Sequence, residues 1–406
     1  MSGPDVQLRR LPYPYRAMLA ICSDLDETPD RRAYWEIARF LNTTQDTPMG
    51  RGVGLEVGNT IYFDMPPGQF SYWNTDDAGR AMVQALIRSG HIDCLHSFGD
   101  LVTTRAHAAR CLDELTRHDC YLKVWIDHAV APTNLDPDIM KGHGDEPGHA
   151  AYHADLTVQY GARFVCRGRV TSVIGQDVPP QFGGLFQVSH PVASLRTLAK
   201  ERVKHRLARQ GNAKYAMHAP NRVTRPVRLR DGTPATEFIR CNPHWGGVSS
   251  CDTGRAIGQI LTAGVLRRLV QREGVCILYT HLGKVDDPRV PFGPSAVAGF
   301  RRLAEARDGG SILVCTTRRL LGYQAARDAL RFTARHEADT VIIEAEGDWQ
   351  AAPFACAGLS FYVPHEADCR LLINGRSVEN VRRNPTDHTG RGSVSVPWPS
   401  LEFPSL

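Results

Sequence analysis

Short apolar runs alternate with stretches of helical spacing along most of this chain, and that alternation constrains the fold more than any other feature. AMLAICSD (17–24) reads as a buried parallel strand that ends in acidic residues. A helix is expected over 31–41. DDAGRAMVQALIRS (76–89) starts on an Asp cap and stops at Gly90, and IDCLHSF follows as a strand. Further helices are predicted at 103–118, near 150–160, and at 194–209, 253–273 and 294–307, with strands at 121–127, 162–168, 213–219, 275–281 and 311–317. Repeated βα units without a GxGxxG turn after the first strand favour a barrel over a dinucleotide-binding sheet, and reactive side chains then belong at strand carboxyl ends.

Those ends carry Asp24 and Asp26, His96 and Asp100, Asp127 and His128, His218, and His281. Carboxylates are rarely buried unless they are paired or bind metal, so packing alone explains such a set poorly. Carboxylate plus imidazole is also the donor set of a divalent-metal hydrolase. Each residue has a plainer reading: Asp24 or Asp26 as a helix cap, His96 and His281 as satisfied core histidines, Asp100 as a turn residue.

Composition narrows the classes. The net charge of +5, from 48 basic and 43 acidic residues, is too diffuse to imply a nucleic-acid partner. The densest basic stretch, KERVKHRLARQ (200–210), reads as a solvated helix face. Eleven cysteines stand singly, without a CxxC pair, which fits reduced thiols and a cytoplasmic location. No apolar leader and no membrane span are expected.

Three places resemble the polysaccharide deacetylase superfamily, the carbohydrate esterase family 4-like enzymes. LAICSDLDET is similar to the family's opening Asp-x-Asp strand end. Gly90-His91, His96 and position 100 keep the spacing of its second motif, with Asp100 where a third His is usual. CILYTHLG is similar to the late strand that carries the catalytic-acid His. The family's Arg-Pro-Pro motif is missing, and WIDHAVAP stands in its place.

The resemblance implies a distorted (β/α)7-type barrel over 1–336. It also implies one divalent metal, zinc first and Mn, Co, Ni or Mg as alternatives, used to hydrolyse an N-acetyl or related amide on a sugar in glycan or glycolipid biosynthesis. By position, Asp24 is the general base, Asp26, His96 and Asp100 are the metal ligands, and His281 is the acid. His128 is either a replacement ligand or a substrate-binding residue. Two other readings stay open: a glycoside hydrolase on a similar barrel, and a catalytically silent carbohydrate-binding protein.

Substrate contacts are expected at the barrel rim. His153, or His143, is a candidate, and His149 with His153 lies four apart on a predicted helix. Asn242, His244 and Trp245 occupy a Gly-rich loop, Trp245 being the candidate for stacking a sugar, and His218 completes the set. The Gly-rich stretch 50–74 reads as a loop or hairpin insertion, whose Tyr62, Phe63, Phe70, Tyr72 and Trp73 either stack sugars or pack the insertion. After a helix to about 336, the β-rich segment 337–406 reads as a small sheet domain that binds carbohydrate, forms a homo-oligomer contact or covers the barrel.

Overall fold

The computed structural model describes residues 5–25, 27–129, 131–347, 356–364 and 368–406. It is a mixed α/β structure with eight α-helices among the described residues, built around a curled half-barrel sheet consistent with a distorted barrel. The sheet strands are β1 (Ala17–Ser23), β2 (Asn59–Ile61), β3 (Ile92–His96), β4 (Val124–Ile126), β5 (Phe164–Cys166), β6 (Val170–Thr171), β7 (Thr224–Arg228), β8 (Pro234–Phe238), β9 (Arg240–Cys241), β10 (Val275–Thr280) and β11 (Ile312–Val314). They run in the order β7-β8-β5-β4-β3-β2-β1-β10-β9-β6, with β11 also on β1. Every pairing is parallel except the β7–β8 hairpin. Two short links, 167–169 and Ile239, carry the chain from β5 to β6 and from β8 to β9, that is, from one arm of the sheet to the other.

Side chains alternate across a strand, and on β1 that alternation divides two cores. Ala17, Leu19 and Ile21 pack outward with helix residues such as Ile37, Phe40 and Leu303. Met18, Ala20 and Cys22 face inward with Cys94, Val124, Cys166, Phe238 and Ile277. The helices are α1 (Arg31–Asn42), α2 (Asp77–Ser89), α3 (Arg105–Arg117), α4 (Ala154–Tyr160), α5 (Pro191–Arg209), α6 (Ala263–Arg272), α7 (Pro294–Asp308) and α8 (Thr317–Ala329). Several start on side-chain caps: Asp30, Asp76, Thr104, Thr262 and Thr316 each accept a first-turn backbone N–H.

The inner core continues into strands after α8, through Val341, Ile343, Phe361 and Leu371. Arg331–Glu337, Thr340–Glu346, Asp368–Ile373 and Arg376–Ser377 form one small sheet. Gln7–Leu8 joins Ser360–Tyr362, Ser393–Ser395 and Arg382–Asn384 in another. This region meets the amino ends of the barrel strands: His388 pairs with Glu273 just before β10, and Leu401 lies against Gly90 just before β3. The carboxyl ends lie at the opposite end of the strands.

Four expectations change. The predicted strand 213–219 is a short 3₁₀ turn, Ala213–Tyr215, opened by the Asn212 side chain, and its Ala, Lys and Met are poor strand formers. Its place beside β10 is taken by β9. The predicted helix 253–273 is only α6 preceded by a 3₁₀ turn, because Thr262 caps a new start and Gly254 must pass close to the Leu282 carbonyl. The supposed insertion 50–74 contains β2. The last helix stops at Ala329, and β structure begins at Arg331.

Candidate functional site

The inward register of the sheet assembles the site. Following Cys22 on β1 is Asp24; following Cys94 on β3 is His96; following Ile126 on β4 is His128. Tyr279 and His281 follow Ile277 on β10, and Arg240 follows Phe238. Asp24 is buried, and the Arg240 guanidinium grips its carboxylate at 2.5 and 2.6 Å. Burial opposes the Arg240 charge, but neighbouring Asp24 outweighs it and raises the guanidinium pKa well above its ordinary value. The Asp24 backbone N–H donates to the Thr280 carbonyl at 2.8 Å, tying the ends of β1 and β10 together.

From Asp24 a line of side chains runs toward solvent. His96 Nε2 lies 3.8 Å from Asp24 Oδ2. The His96 ring stacks on Tyr62 at 4.6 Å and meets the edge of His128 at 4.7 Å. His128 Nδ1 is 3.0 Å from the Tyr62 hydroxyl, and its Nε2 is 3.2 Å from Asp100 Oδ1. Asp100 is placed by a tight turn, for Gly99 adopts φ 99° and a Cβ there would sit 2.2 Å from the Asp64 carbonyl oxygen.

A second unit flanks this line. His281 Nδ1 is 3.1 Å from Asp252 Oδ2, and its Nε2 is 3.3 Å from the Tyr279 hydroxyl. Tyr279 also lies under the Arg240 guanidinium, 4.5 Å from Cζ to ring centroid, so the His281 dyad and the Asp24 pair touch through one aromatic ring. A carboxylate that fixes an imidazole in this way favours proton transfer.

The remaining candidates are dispersed. Asp26 lies outside the described residues. Asp127 faces outward, accepts from the Trp125 indole and the Leu135 and Asp136 backbones, and burial pushes its pKa up to about 7. It organises the loop after β4. His153 is fully buried between Phe98 and Trp125, with Nδ1 on the Thr157 hydroxyl and Nε2 on the Thr133 carbonyl, and burial lowers its pKa to about 4. His218 is buried beside Glu201 on α5, 3.8 Å away, with its pKa lowered to about 3 by burial. Trp73 is half-buried, with His107 stacked on it at 5.5 Å and Arg110 4.1 Å from its ring. His143 and His149 stack on each other at 4.1 Å.

His244 and Trp245 occupy the loop after β9, which Asn242 shapes by donating to the Val248 and Ser250 carbonyls at 2.9 and 3.0 Å. Exposed His190 lies flat on Trp245 at 3.9 Å. A cavity of about 180 Å³ adjoins this loop, lined in part by Ser172, Lys200 and Ser250, whereas a larger one of about 420 Å³ lies among the C-terminal strands around Val378 and Val396.

The sequence reading did not identify Arg240, Asp252 or Tyr279. Arg240 had a signal: a lone charge inside the apolar run FIRC at strand spacing. Asp252 has none, because its partner His281 is remote in sequence.

The donor types suit a divalent metal, with two imidazoles and a carboxylate in His96, His128 and Asp100. His128 adjoins both His96 and Asp100; among the described residues no three His, Cys, Asp or Glu side chains gather into one coordinating group. Comparisons with family models, with curated proteins and with solved structures found no match for the chain.

Proposed function

We propose that the barrel mouth is a metal-dependent hydrolytic site that removes an N-acetyl or related acyl group from a sugar. The observation that carries this reading is the line Asp24, His96, His128, Asp100 flanked by the Asp252-held His281. The barrel is read as (β/α)7-type, and the strands after α8 as a small β domain appended to it.

Arg240 fixes both oxygens of Asp24, so that the carboxylate meets an incoming water in one orientation and takes its proton. On the other side, His281 donates a proton to the departing nitrogen, while Asp252 orients the ring and stabilises the imidazolium that precedes donation. When bound, the metal supplies Lewis-acid polarisation of the amide carbonyl, and His96, His128 and Asp100 are the described residues that would hold it. Trp245, with His190 on one face, gives the rim an aromatic platform for a sugar ring.

The test is acetate release from a panel of N-acetylated amino sugars and their short oligomers. Wild type should turn over at least one, and Asp24→Asn should lower kcat/KM about 10²–10⁴-fold. Absence of release from the whole panel, or an Asp24→Asn enzyme as fast as wild type, would remove this reading.

A further inference from the structure

The outer face of α5 and the segment just before it hold five of the nine exposed large hydrophobic residues among the described ones. Phe186 (43% exposed), Val188 (83%), Val192 (80%), Leu195 (53%) and Val203 (56%) form a dense run among the exposed large hydrophobic residues. At 100° per residue, Val192, Leu195, Ala199 and Val203 share one side of the helix, while Ser194, Thr197 and Glu201 face the protein. Arg202 and Arg209 border one flank of the apolar stripe, Arg196 and Lys200 the other, and Arg206 lies within it. All five are exposed, and none forms an ion pair among the described residues. The helix's one acidic residue, Glu201, is buried against Lys204 and Thr171.

We propose that this face lies on an anionic lipid surface, its aliphatic side chains inserted at the interface and its arginines among the headgroups. The helix is only weakly amphipathic, with Arg206 inside the stripe, so the five exposed basic residues carry the attraction to anionic headgroups and the exposed aliphatic side chains add insertion at the interface. The charge argues against a second copy: an isologous contact would set the same arginines against each other with no carboxylate between them. The face is convex and aliphatic, which suits an acyl boundary. No described helix is long and apolar enough to cross a membrane, so attachment through α5 is peripheral.

The position of the helix bears on the barrel mouth. Its N-terminal end adjoins the loop after β9, where His190 stacks on Trp245 and the Thr197 hydroxyl oxygen lies 3.6 Å from where a Cβ on Gly247 would be. Docking through α5 would hold that rim beside the lipid. The inference stands apart from the hydrolytic reading and needs no catalytic activity.

The test is flotation of the full chain with phosphatidylcholine vesicles and with equimolar phosphatidylcholine and phosphatidylglycerol vesicles at 0.1 M salt. Wild type should float with the anionic vesicles and remain behind with the neutral ones. Removing one surface charge should weaken partitioning about fivefold, so Arg202→Gln with Arg206→Gln should weaken it about thirtyfold. Val192→Glu with Leu195→Glu should abolish it while leaving the circular dichroism spectrum and melting temperature unchanged. The proposal is overturned if wild type ignores anionic vesicles, or if the variants float as well as wild type. It is also overturned if sedimentation velocity shows a dimer that Val192→Glu dissociates, which would assign the face to a second copy.

Discussion

Two groups of buried charge lie at the carboxyl ends of the barrel strands, and they are built for different ends. Beside the mouth, buried Glu237 accepts from Arg167 at 3.0 Å and Arg225 at 2.7 Å and forms an ion pair with Arg169 at 2.8 Å. Asp136 takes Arg169 at 2.9 Å and the backbone N–H groups of Asp138 and Met140. Every partner in that network is a permanent donor, and the result is a fixed loop after β4. In the mouth, Arg240 is the permanent cation among the described partners, and the others are imidazoles and tyrosine hydroxyls, groups that can both accept and donate a proton. A saturated network holds shape, and an imidazole line can move protons.

The largest effect should separate the two by activity. His281→Gln should lower kcat on an accepted substrate about 10²–10⁴-fold with KM nearly unchanged and no loss of melting temperature. A matching loss of stability would make His281 a structural residue and erase the contrast. Next, Arg169→Met takes from Asp136 its cation among the described residues and from Glu237 one of three, and should cost about 3–5 kcal/mol, read from denaturant unfolding. A loss below about 1 kcal/mol would show that Arg167 and Arg225 suffice.

Acid should sharpen the contrast further. His153 has a folded pKa of about 4 against an ordinary 6.5, so the unfolded chain binds its proton first. Its contribution is whole above about pH 6.5 and is lost as pH falls toward 4, up to about 3 kcal/mol. Asp127, raised to about 7, acts the opposite way, favouring the fold as pH falls from 7 toward 3.8. Unfolding of wild type and His153→Gln between pH 7 and 4 isolates the first term: the variant should show the shallower acid loss, and parallel curves would contradict the assignment. The smallest effect is expected at the rim, where Asn242→Ala removes both carbonyl contacts of the loop and should cost about 1–3 kcal/mol. A KM increase should accompany it if Trp245 binds sugar.

Much of the barrel was legible because β1, β3 and β10 announce themselves as apolar runs with reactive ends, and Asp24, His96 and His281 were found there. Asp127 misled for a reason of parity: it ends a strand just as His128 does, but points outward, and a one-residue difference in register decides the face. His153 and His218 are buried with partners of their own, and local spacing does not separate such a histidine from one at a site. β2 was hidden in a Gly-rich stretch because only three residues pair. β9 is two residues long, too short for any periodicity, yet it delivers Arg240. Asp252 depends on a contact between distant segments that local spacing does not encode.

The central claim is that the imidazole line in the mouth serves a metal-dependent hydrolysis. Elemental analysis of wild type, His96→Ala and His128→Ala, each purified without added metal, tests it most directly. The account predicts close to one divalent ion per wild-type chain and loss from both variants with the fold intact. A wild-type chain without metal, or variants that retain it in full, would contradict that claim.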